Sequence, residues 1–332
     1  MKVEDTVFVV YDSMFKLSMG NDTLSPKKLM LYDFLDRQST LVIFSRENFL
    51  NGLTIHELRA SLLELKDSKK KIHPIVWNGT ELGCRSFVEI LNNLNFDQNL
   101  VFMENGVIPH KKHFRFMSKP IDIEKNWGFN TESVKWFKQL DEYKSEKLFD
   151  FAQEKLEEGR KPLTRFIEKQ KPQKNKVCIV MQCSSDSTLY SLENPFLDYP
   201  KLIEKYLKDK YKSNFSNLQI IGCPHPSNPN DAYLYDMSAF KNIQVSLKPT
   251  LAQCMDAELV IGYNSTTLLE THLRGVPTIA LDPNHPLNFI KNEKDNKLLI
   301  SRIKAAQFDP DTTSYEDFLT QKATYLKLSK NT

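Results

Sequence analysis

The stretch that decides the fold class is LVIGYNSTTLLETHLRGVPTIALD, residues 259–282. Its first four residues, Leu259–Gly262, form an apolar run that predicts a buried strand. A helix is expected over 265–274, ending at Gly275, and a further strand over Pro277–Leu281. A helix that begins directly at the carboxyl end of a strand is typical of open α/β sheets, which bind ligands at that edge.

The same alternation extends through the rest of the second half of the chain. We expect strands at Val177–Met181, Leu218–Gly222 and Ile243–Leu247, and helices at 198–211 and Pro249–Asp256. The helix over 198–211 is expected to begin near Asp198 and Pro200, a common pairing at a helix start. Strands that alternate with helices predict a parallel sheet that is covered on both faces.

The first half of the chain shows a similar pattern. Strands are expected at Val7–Tyr11, Leu41–Phe44, Ile72–Trp77 and Leu100–Met103, and helices at 54–67 and 84–94. A chain of 332 residues is long enough for two domains of ordinary size. The sequence therefore predicts an α/β protein with two Rossmann-like domains.

Composition shifts indicate where the domains meet. The polar stretch Lys169–Lys176 is interpreted as a linker. It separates an N-terminal domain, residues 1–170 with a helical connector at its end, from a C-terminal domain, residues 171–312. The remaining residues, 313–332, are expected to form a helix that crosses back to the first domain.

Composition and charge exclude several classes of protein. The formal charge of +3 is small and spread along the chain, which argues against nucleic acid as a partner. Neither a signal sequence nor a membrane span is expected, and five scattered cysteines without metal-site spacing favour the cytoplasm. Two basic runs, 69–71 and 111–113, are interpreted as solvated surface, as peripheral contact with an anionic inner-membrane surface, or as contact with a polyanionic acceptor.

Polar residues follow three of the predicted strands of the second domain. Asn264, Ser265 and Thr266 begin a helix whose unpaired amides and dipole would favour a phosphate, although they could equally be only a helix cap. The pair His225-Pro226 fixes an imidazole after another strand, where it could donate a hydrogen bond to a phosphate or act as a catalytic acid. Its alternative interpretation is an ordinary loop histidine.

A third polar loop follows the first strand of that domain. Gln182, Ser185, Asp186 and Ser187 suit a polar ligand such as a sugar, or form a plain turn. The chain has neither a Gly-x-Gly-x-x-Gly pattern nor a Walker pattern, which disfavours dinucleotide dehydrogenases and P-loop enzymes.

The first domain offers carboxylates at the ends of its strands. Glu104 precedes Asn105-Gly106, a pair that predicts a tight turn, and it could accept a proton from a substrate. Asp12 follows the first strand and is a weaker candidate of the same kind.

Taken together and in this order, these segments resemble the bacterial capsule polysaccharide Kdo transferases and their capsule-synthesis relatives. The resemblance covers roughly residues 100–285 and is carried by the following residues: Glu104, Asn105, Gly106, Pro109, Gln182, Asp186, Ser187, His225, Pro226, Asn264, Ser265, Thr266, Glu270, Gly275 and Pro277. It implies a GT-B architecture, in which two Rossmann-like domains face each other across a cleft and the donor lies mostly on the second.

The resemblance also implies roles for individual residues. In bacterial sialyltransferases, which are similar in motifs, the His-Pro and Ser/Thr segments bind the phosphate of a CMP-sugar. By that similarity His225, Ser265 and Thr266 would bind the donor phosphate, and Glu270 the ribose. Glu104 would be the catalytic carboxylate, with Asp186 as second candidate. The resemblance implies neither a metal nor a cofactor.

The expected function is therefore transfer of a sugar from a nucleotide donor, a CMP-activated acidic sugar such as Kdo, to a glycan or glycolipid during surface polysaccharide synthesis. Three alternatives stay open: a polyol-phosphate transferase of similar fold, a non-catalytic glycan-binding module of capsule assembly, and a nucleotide-sugar epimerase.

Overall fold

A computed structural model describes residues 6–12, 26–45, 48, 52–77, 83–96, 99–105, 114–117, 170–184, 186, 189, 192–226, 228–283, 285–290, 303 and 306–329. The chain divides into two compact units. Described residues up to 117 and from 303 onward belong to unit 1, and those from 170 to 290 belong to unit 2.

Each unit is built on its own sheet. The strands are β1 (Thr6–Tyr11), β2 (Thr40–Phe44), β3 (Lys71–Trp77), β4 (Val101–Asn105), β5 (Phe114–Met117), β6 (Gln173–Val180), β7 (Gln219–Cys223), β8 (Ile243–Val245), β9 (Ala257–Gly262), β10 (Thr278–Ala280) and β11 (Gln307–Phe308). The helices are α1 (Pro26–Gln38), α2 (Ile55–Asp67), α3 (Cys84–Asn93), α4 (Pro195–Tyr211), α5 (Thr250–Cys254), α6 (Thr266–Leu273) and α7 (Tyr315–Ser329). Short 3-10 helices lie at Lys212–Asn217, Pro229–Leu234 and Pro286–Phe289.

The sheet of unit 1 runs in the order β11-β5-β4-β3-β1-β2. Strands β1 to β4 are parallel, as predicted, but β5 pairs antiparallel with β4, and β11 pairs antiparallel with β5. The expectation of a purely parallel sheet was therefore wrong at this edge. Strands β5 and β11 have four and two residues, too few to show an alternation of apolar and polar side chains.

Both faces of the unit 1 sheet are covered. Along β1, Phe8 and Val10 point into a core shared with α1 and α7, whereas Val7 and Val9 point into a core shared with α2 and α3. All four side chains are at most 1% exposed, because successive residues of a strand face opposite sides of the sheet. This double burial explains why β1 reads as an unbroken apolar run.

The carboxyl-terminal helix α7 packs on the sheet of unit 1. Its Phe318 ring lies 5.9 Å from the ring of Phe8 and 4.9 Å from that of Phe308. Its buried Lys322 places Nζ 2.9 Å from Nδ1 of His73. Burial lowers the pKa of Lys322 to about 7, and burial followed by the charge of Lys322 lowers the pKa of His73 to about 3.

The sheet of unit 2 is parallel throughout, in the order β10-β9-β6-β7-β8. If the strands of unit 2 are numbered 1 to 5 along the chain, from β6 to β10, their order across the sheet is 3-2-1-4-5. This is the order of a doubly wound Rossmann-like sheet. The strand order changes direction between β6 and β9, which makes this position the topological switch point of the sheet. The loops that follow β6 and β9 lie on either side of it. The mixed α/β class expected from the sequence is confirmed.

Helix α4 begins at Pro195, three residues before the start predicted at Asp198, and Asn194 is its capping residue. Pro200 lies inside the helix and cannot donate to the carbonyl of Phe196. That carbonyl instead accepts a hydrogen bond from the backbone nitrogen of Asp236 at 3.0 Å. The tertiary contact thus makes an internal proline tolerable, which the local sequence could not show.

Among the described residues, none of the helices combines the length and the apolar character needed to cross a membrane.

Candidate functional site

The polar residues predicted to bind the donor lie at the carboxyl edge of the unit 2 sheet. Val180 of β6 is in register with Gly262 of β9 on one side and with Cys223 of β7 on the other. The three loops that follow these strands therefore start side by side. Open α/β sheets bind ligands at this edge, next to the switch point.

Gln182 connects the two loops that flank the switch point. Its side chain is buried, and its Oε1 accepts a hydrogen bond from the backbone nitrogen of Asn264 at 2.8 Å. Its Nε2 donates to Oδ2 of Asp186 at 2.8 Å, and its own carbonyl accepts from the Tyr235 hydroxyl at 2.9 Å. These contacts make Gln182 a residue that positions the loops.

Helix α6 begins at the edge, immediately after β9. Ser265 has extended backbone angles, and its hydroxyl accepts from the backbone nitrogen of Thr267 at 3.3 Å, as a capping residue does. Thr266 and Glu270 are half-buried on this helix. The first amides of a helix lack partners within it, so this end can donate hydrogen bonds to an anion.

Gly262 allows α6 to pack this close to the sheet. A Cβ atom at this position would meet the Leu268 side chain and the Val180 carbonyl, each at 3.1 Å. Any larger residue would force the Leu268 side chain or the β6 backbone to shift by a few tenths of an ångström.

A fourth loop, after β10, fixes the start of α6 and was not singled out in the sequence. The Asn264 side-chain amide donates to the carboxylate of Asp282, which is buried. The backbone carbonyl of Asp282 in turn accepts from Nδ2 of Asn288 at 2.6 Å. The signal for these residues was their place just after a predicted strand at the same sheet edge.

His285 in this loop is fully buried behind Ser265. Its Nδ1 accepts from the backbone nitrogen of Leu287 at 3.2 Å, which leaves the proton on Nε2. Nε2 lies 3.4 Å from the Ser265 carbonyl. Burial lowers the pKa of His285 to about 3, so the ring is neutral near pH 7.

His225 lies after β7, half-buried between the buried Pro224 and the exposed Pro226. Asp231, a residue that the sequence did not highlight, joins this loop to the one after β6. Its Oδ2 accepts from the backbone nitrogen of Ser184 and its Oδ1 from Nδ2 of Asn228, both at 2.6 Å. Gln182, Asp231 and Asp282 thus connect four consecutive edge loops.

The candidates in unit 1 are placed differently. Asp12 is fully buried. Its carboxylate oxygens accept hydrogen bonds from Nζ of Lys28 at 2.9 and 3.0 Å, and the Tyr32 hydroxyl donates a further one. These contacts hold the Asp12 carboxylate against α1. Glu104 is half-buried on β4 and stands in register opposite Arg115 of β5.

Some predicted residues cannot be assigned a position. Ser185, Ser187 and Gly106 lie outside the described residues, as does the side chain of Asn105, the last residue of β4. Of the predicted donor-binding residues, the structure gathers Gln182, Asn264, Ser265 and Thr266 around the switch point, with His225 on the adjacent loop. The catalytic candidate Asp186 lies with them, bonded to Gln182.

The strand order and the edge loops of unit 2 define a Rossmann-like α/β fold. No family model matches the chain, and no curated protein matches it by sequence.

Solved structures do resemble it. The KpsC beta-Kdo 2,4 transferase of Thermosulfurimonas dismutans matches over 96% of this chain and 98% of its own, with a TM-score of 0.51 and 11% identity. The beta-Kdo 2,7 transferase of the same KpsC matches over 96% and 99%, with a TM-score of 0.49 and 16% identity. A UDP-N-acetylglucosamine 2-epimerase from Listeria monocytogenes, described as putative, matches over 98% and 91% at a TM-score of 0.29 and 11% identity. The resemblance to capsule Kdo transferases is thereby confirmed for the fold.

Proposed function

We propose that this protein is a glycosyltransferase that binds the phosphate of a nucleotide-sugar at the start of α6. The observation that carries the proposal is the Ser265-capped helix start beside the switch point, held by Gln182 on one side and His285 on the other. A rigid set of donors in this place suits the charge of a departing phosphate.

The proposed donor is a CMP-linked acidic sugar such as Kdo, and the acceptor a glycan or glycolipid. Support comes from the shared fold with a beta-Kdo transferase and from the order of the motifs at residues 104–106, 182–187, 225–226 and 264–277. Surface polysaccharide synthesis in the cytoplasm, with peripheral contact to the membrane, belongs to the same proposal.

The chemistry would divide between two sets of residues. The helix amides, Ser265, Thr266 and His225 would stabilise the negative charge that develops on the leaving phosphate. A carboxylate would accept the proton of the acceptor hydroxyl. Asp186 is held near the edge by Gln182, whereas a role for Glu104 requires the GT-B arrangement expected from the sequence.

The test compares two threonine variants of one helix. Thr266→Val removes a hydroxyl at the helix start, and Thr271→Val removes a buried one that bonds the Leu268 carbonyl within the helix. We expect Thr266→Val to lower the rate of CMP-Kdo consumption by about tenfold to 100-fold, the scale seen when one donor to a developing charge is lost. Thr271→Val should keep the wild-type rate in the folded fraction. Equal rates in both variants would contradict the proposal.

The alternative functions differ in the ligand that each would bind. A thermal-shift comparison of CMP-sugars, UDP-sugars and CDP-glycerol reports which one binds, because a ligand that binds the folded state raises the unfolding temperature. Stabilisation by CDP-glycerol alone would favour a polyol-phosphate transferase. Stabilisation by a glycan but by no nucleotide would favour a non-catalytic module.

A further inference from the structure

A cluster of three cysteines lies on the sheet face of unit 2 that α5 and α6 cover. Cys178 is in β6, Cys223 ends β7 and Cys254 ends α5, so residues distant in sequence meet only in the fold. Their Sγ atoms all lie within 4.8 Å of one another, and each residue is 0% exposed. Among the described histidines, cysteines, aspartates and glutamates, these three cysteines form the one group that is close enough together to share a metal ion.

The separation of the sulfurs is close to what a three-coordinate metal requires. A metal bonded to three thiolates at about 2.3 Å in a plane separates the sulfurs by about 4 Å. Because the sulfurs lie within 4.8 Å of one another, the cluster needs a contraction of at most about 1 Å. Adjacent parallel strands supply two of the ligands, which gives the site a rigid base, and the five-residue helix α5 supplies the third.

The ligand set selects the kind of metal. Thiolates are soft donors that favour Cu(I), zinc and iron–sulfur centres. A structural zinc site takes four ligands, and the surroundings here are apolar side chains such as Val260, Leu268 and Val276. Because no fourth ligating side chain joins the three sulfurs among the described residues, the site suits a soft ion that takes three thiolates better than four-coordinate zinc.

We propose that Cys178, Cys223 and Cys254 form a binding site for a thiophilic monovalent metal ion of the Cu(I) class. Binding replaces the three thiol protons, which leave to solvent, and transfers no electron. The bound ion would cross-link β6, β7 and α5 and would stabilise unit 2, because an ion that binds only the folded state raises its stability.

A neighbouring ion pair offers a way to tune the affinity. Lys176 precedes Cys178 by two residues on β6, and its ammonium contacts the carboxylate of Asp256, two residues after Cys254. The charges of both residues act on Cys178. A complex with three thiolates is an anion, so Asp256→Asn, which removes the opposing negative charge, is expected to raise the Cu(I) affinity.

The experiment titrates the reduced protein with Cu(I), without oxygen, against a chromophoric Cu(I) chelator. The double variant Cys84→Ala/Cys183→Ala keeps only the three clustered thiols, because the chain has five cysteines. We expect one Cu(I) per chain in the wild type and in this double variant. X-ray absorption should show a shell of sulfur neighbours at about 2.3 Å in both.

Single variants supply the complementary test. Cys178→Ala, Cys223→Ala and Cys254→Ala should each lose more affinity than the 10- to 100-fold that follows removal of a residue that only supports a ligand. Retained affinity in a folded single variant would overturn the proposal. Loss of binding in the double variant would also overturn it, even if the single variants fail to fold.

Discussion

Oε1 of Gln182 accepts a hydrogen bond from the backbone nitrogen of Asn264 at 2.8 Å, across the switch point of the unit 2 sheet. The bond ties the loop after β6 to the start of α6, and it is formed by a side chain that is only 2% exposed. Asn264 in turn contacts Asp282 in the loop after β10. The helix start is therefore held in place before any ligand arrives, which is what preorganised stabilisation of a departing charge requires.

The first prediction concerns Gln182 itself. Gln182→Met keeps the length of the side chain but leaves the partly buried amide of Asn264 without its acceptor. We expect unit 2 to lose about 1–3 kcal/mol of unfolding free energy in a urea titration. Gln38→Met, on the half-buried last residue of α1, is the matched control and should change stability by less than about 0.5 kcal/mol. Equal losses in both variants would contradict the role of Gln182.

The second prediction concerns the link between the loops after β6 and β7. Asp231→Ala removes both accepting oxygens, so the Ser184 amide and the Asn228 side chain each lose a partner. We expect faster hydrogen exchange at the amide of Ser184. Asp236→Ala, at an exposed carboxylate, should leave this amide unchanged. Unaltered protection of Ser184 in Asp231→Ala would show that the link is not formed.

The third prediction follows from the buried histidines. Burial lowers the pKa of His285 and that of His73 to about 3, from the usual 6.5 of histidine. Between these values the unfolded chain binds more protons than the folded one, so stability falls as the pH falls below 6.5. Each histidine contributes a slope of up to about 1.4 kcal/mol per pH unit in this window.

His285→Gln tests this contribution. The variant removes the titrating ring while its amide can still reach the Ser265 carbonyl. We expect the stability of unit 2 to depend less steeply on pH between 4 and 6 in denaturant titrations. His56→Gln, at an exposed position of α2, should keep the wild-type slope. A wild-type slope in His285→Gln would contradict burial of a neutral ring.

The fourth prediction separates structure from catalysis at Asp12. Asp12→Asn breaks a buried ion pair with Lys28 and should cost unit 1 about 3–5 kcal/mol. Nucleotide binding to unit 2 should be unchanged in the folded fraction. Asp33→Asn, at an exposed position of the same helix as Lys28, is the control. Unchanged stability together with a lost transfer rate would instead make Asp12 a residue of the acceptor site.

The sequence was a good guide to residues that act through their place after a strand. Gln182, His225 and Asn264 could be selected because parallel strands end at one edge, and the strand patterns were visible. Asp282 carried the same signal, its place just after a predicted strand, although its partner Asn264 lies 18 residues away. Asp231 could not be selected, because its partner Ser184 lies 47 residues away and becomes its neighbour only in the fold.

The missed elements have the same physical origin. Helix α4 begins at Pro195 because an internal Pro200 is tolerated through the Asp236 contact, which is tertiary. The cysteines were scattered in sequence and showed no metal-site spacing. Cys178, Cys223 and Cys254 converge only because β6 and β7 pair and α5 packs against them.

The most direct measurement is a crystal structure of the protein soaked with CMP. We predict that the phosphate lies at the first amides of α6, within hydrogen-bonding distance of Ser265 or Thr266, and that the His225 ring faces it. A CMP phosphate bound away from the α6 start, or no CMP bound under conditions where another nucleotide occupies the edge, would contradict the proposed donor site.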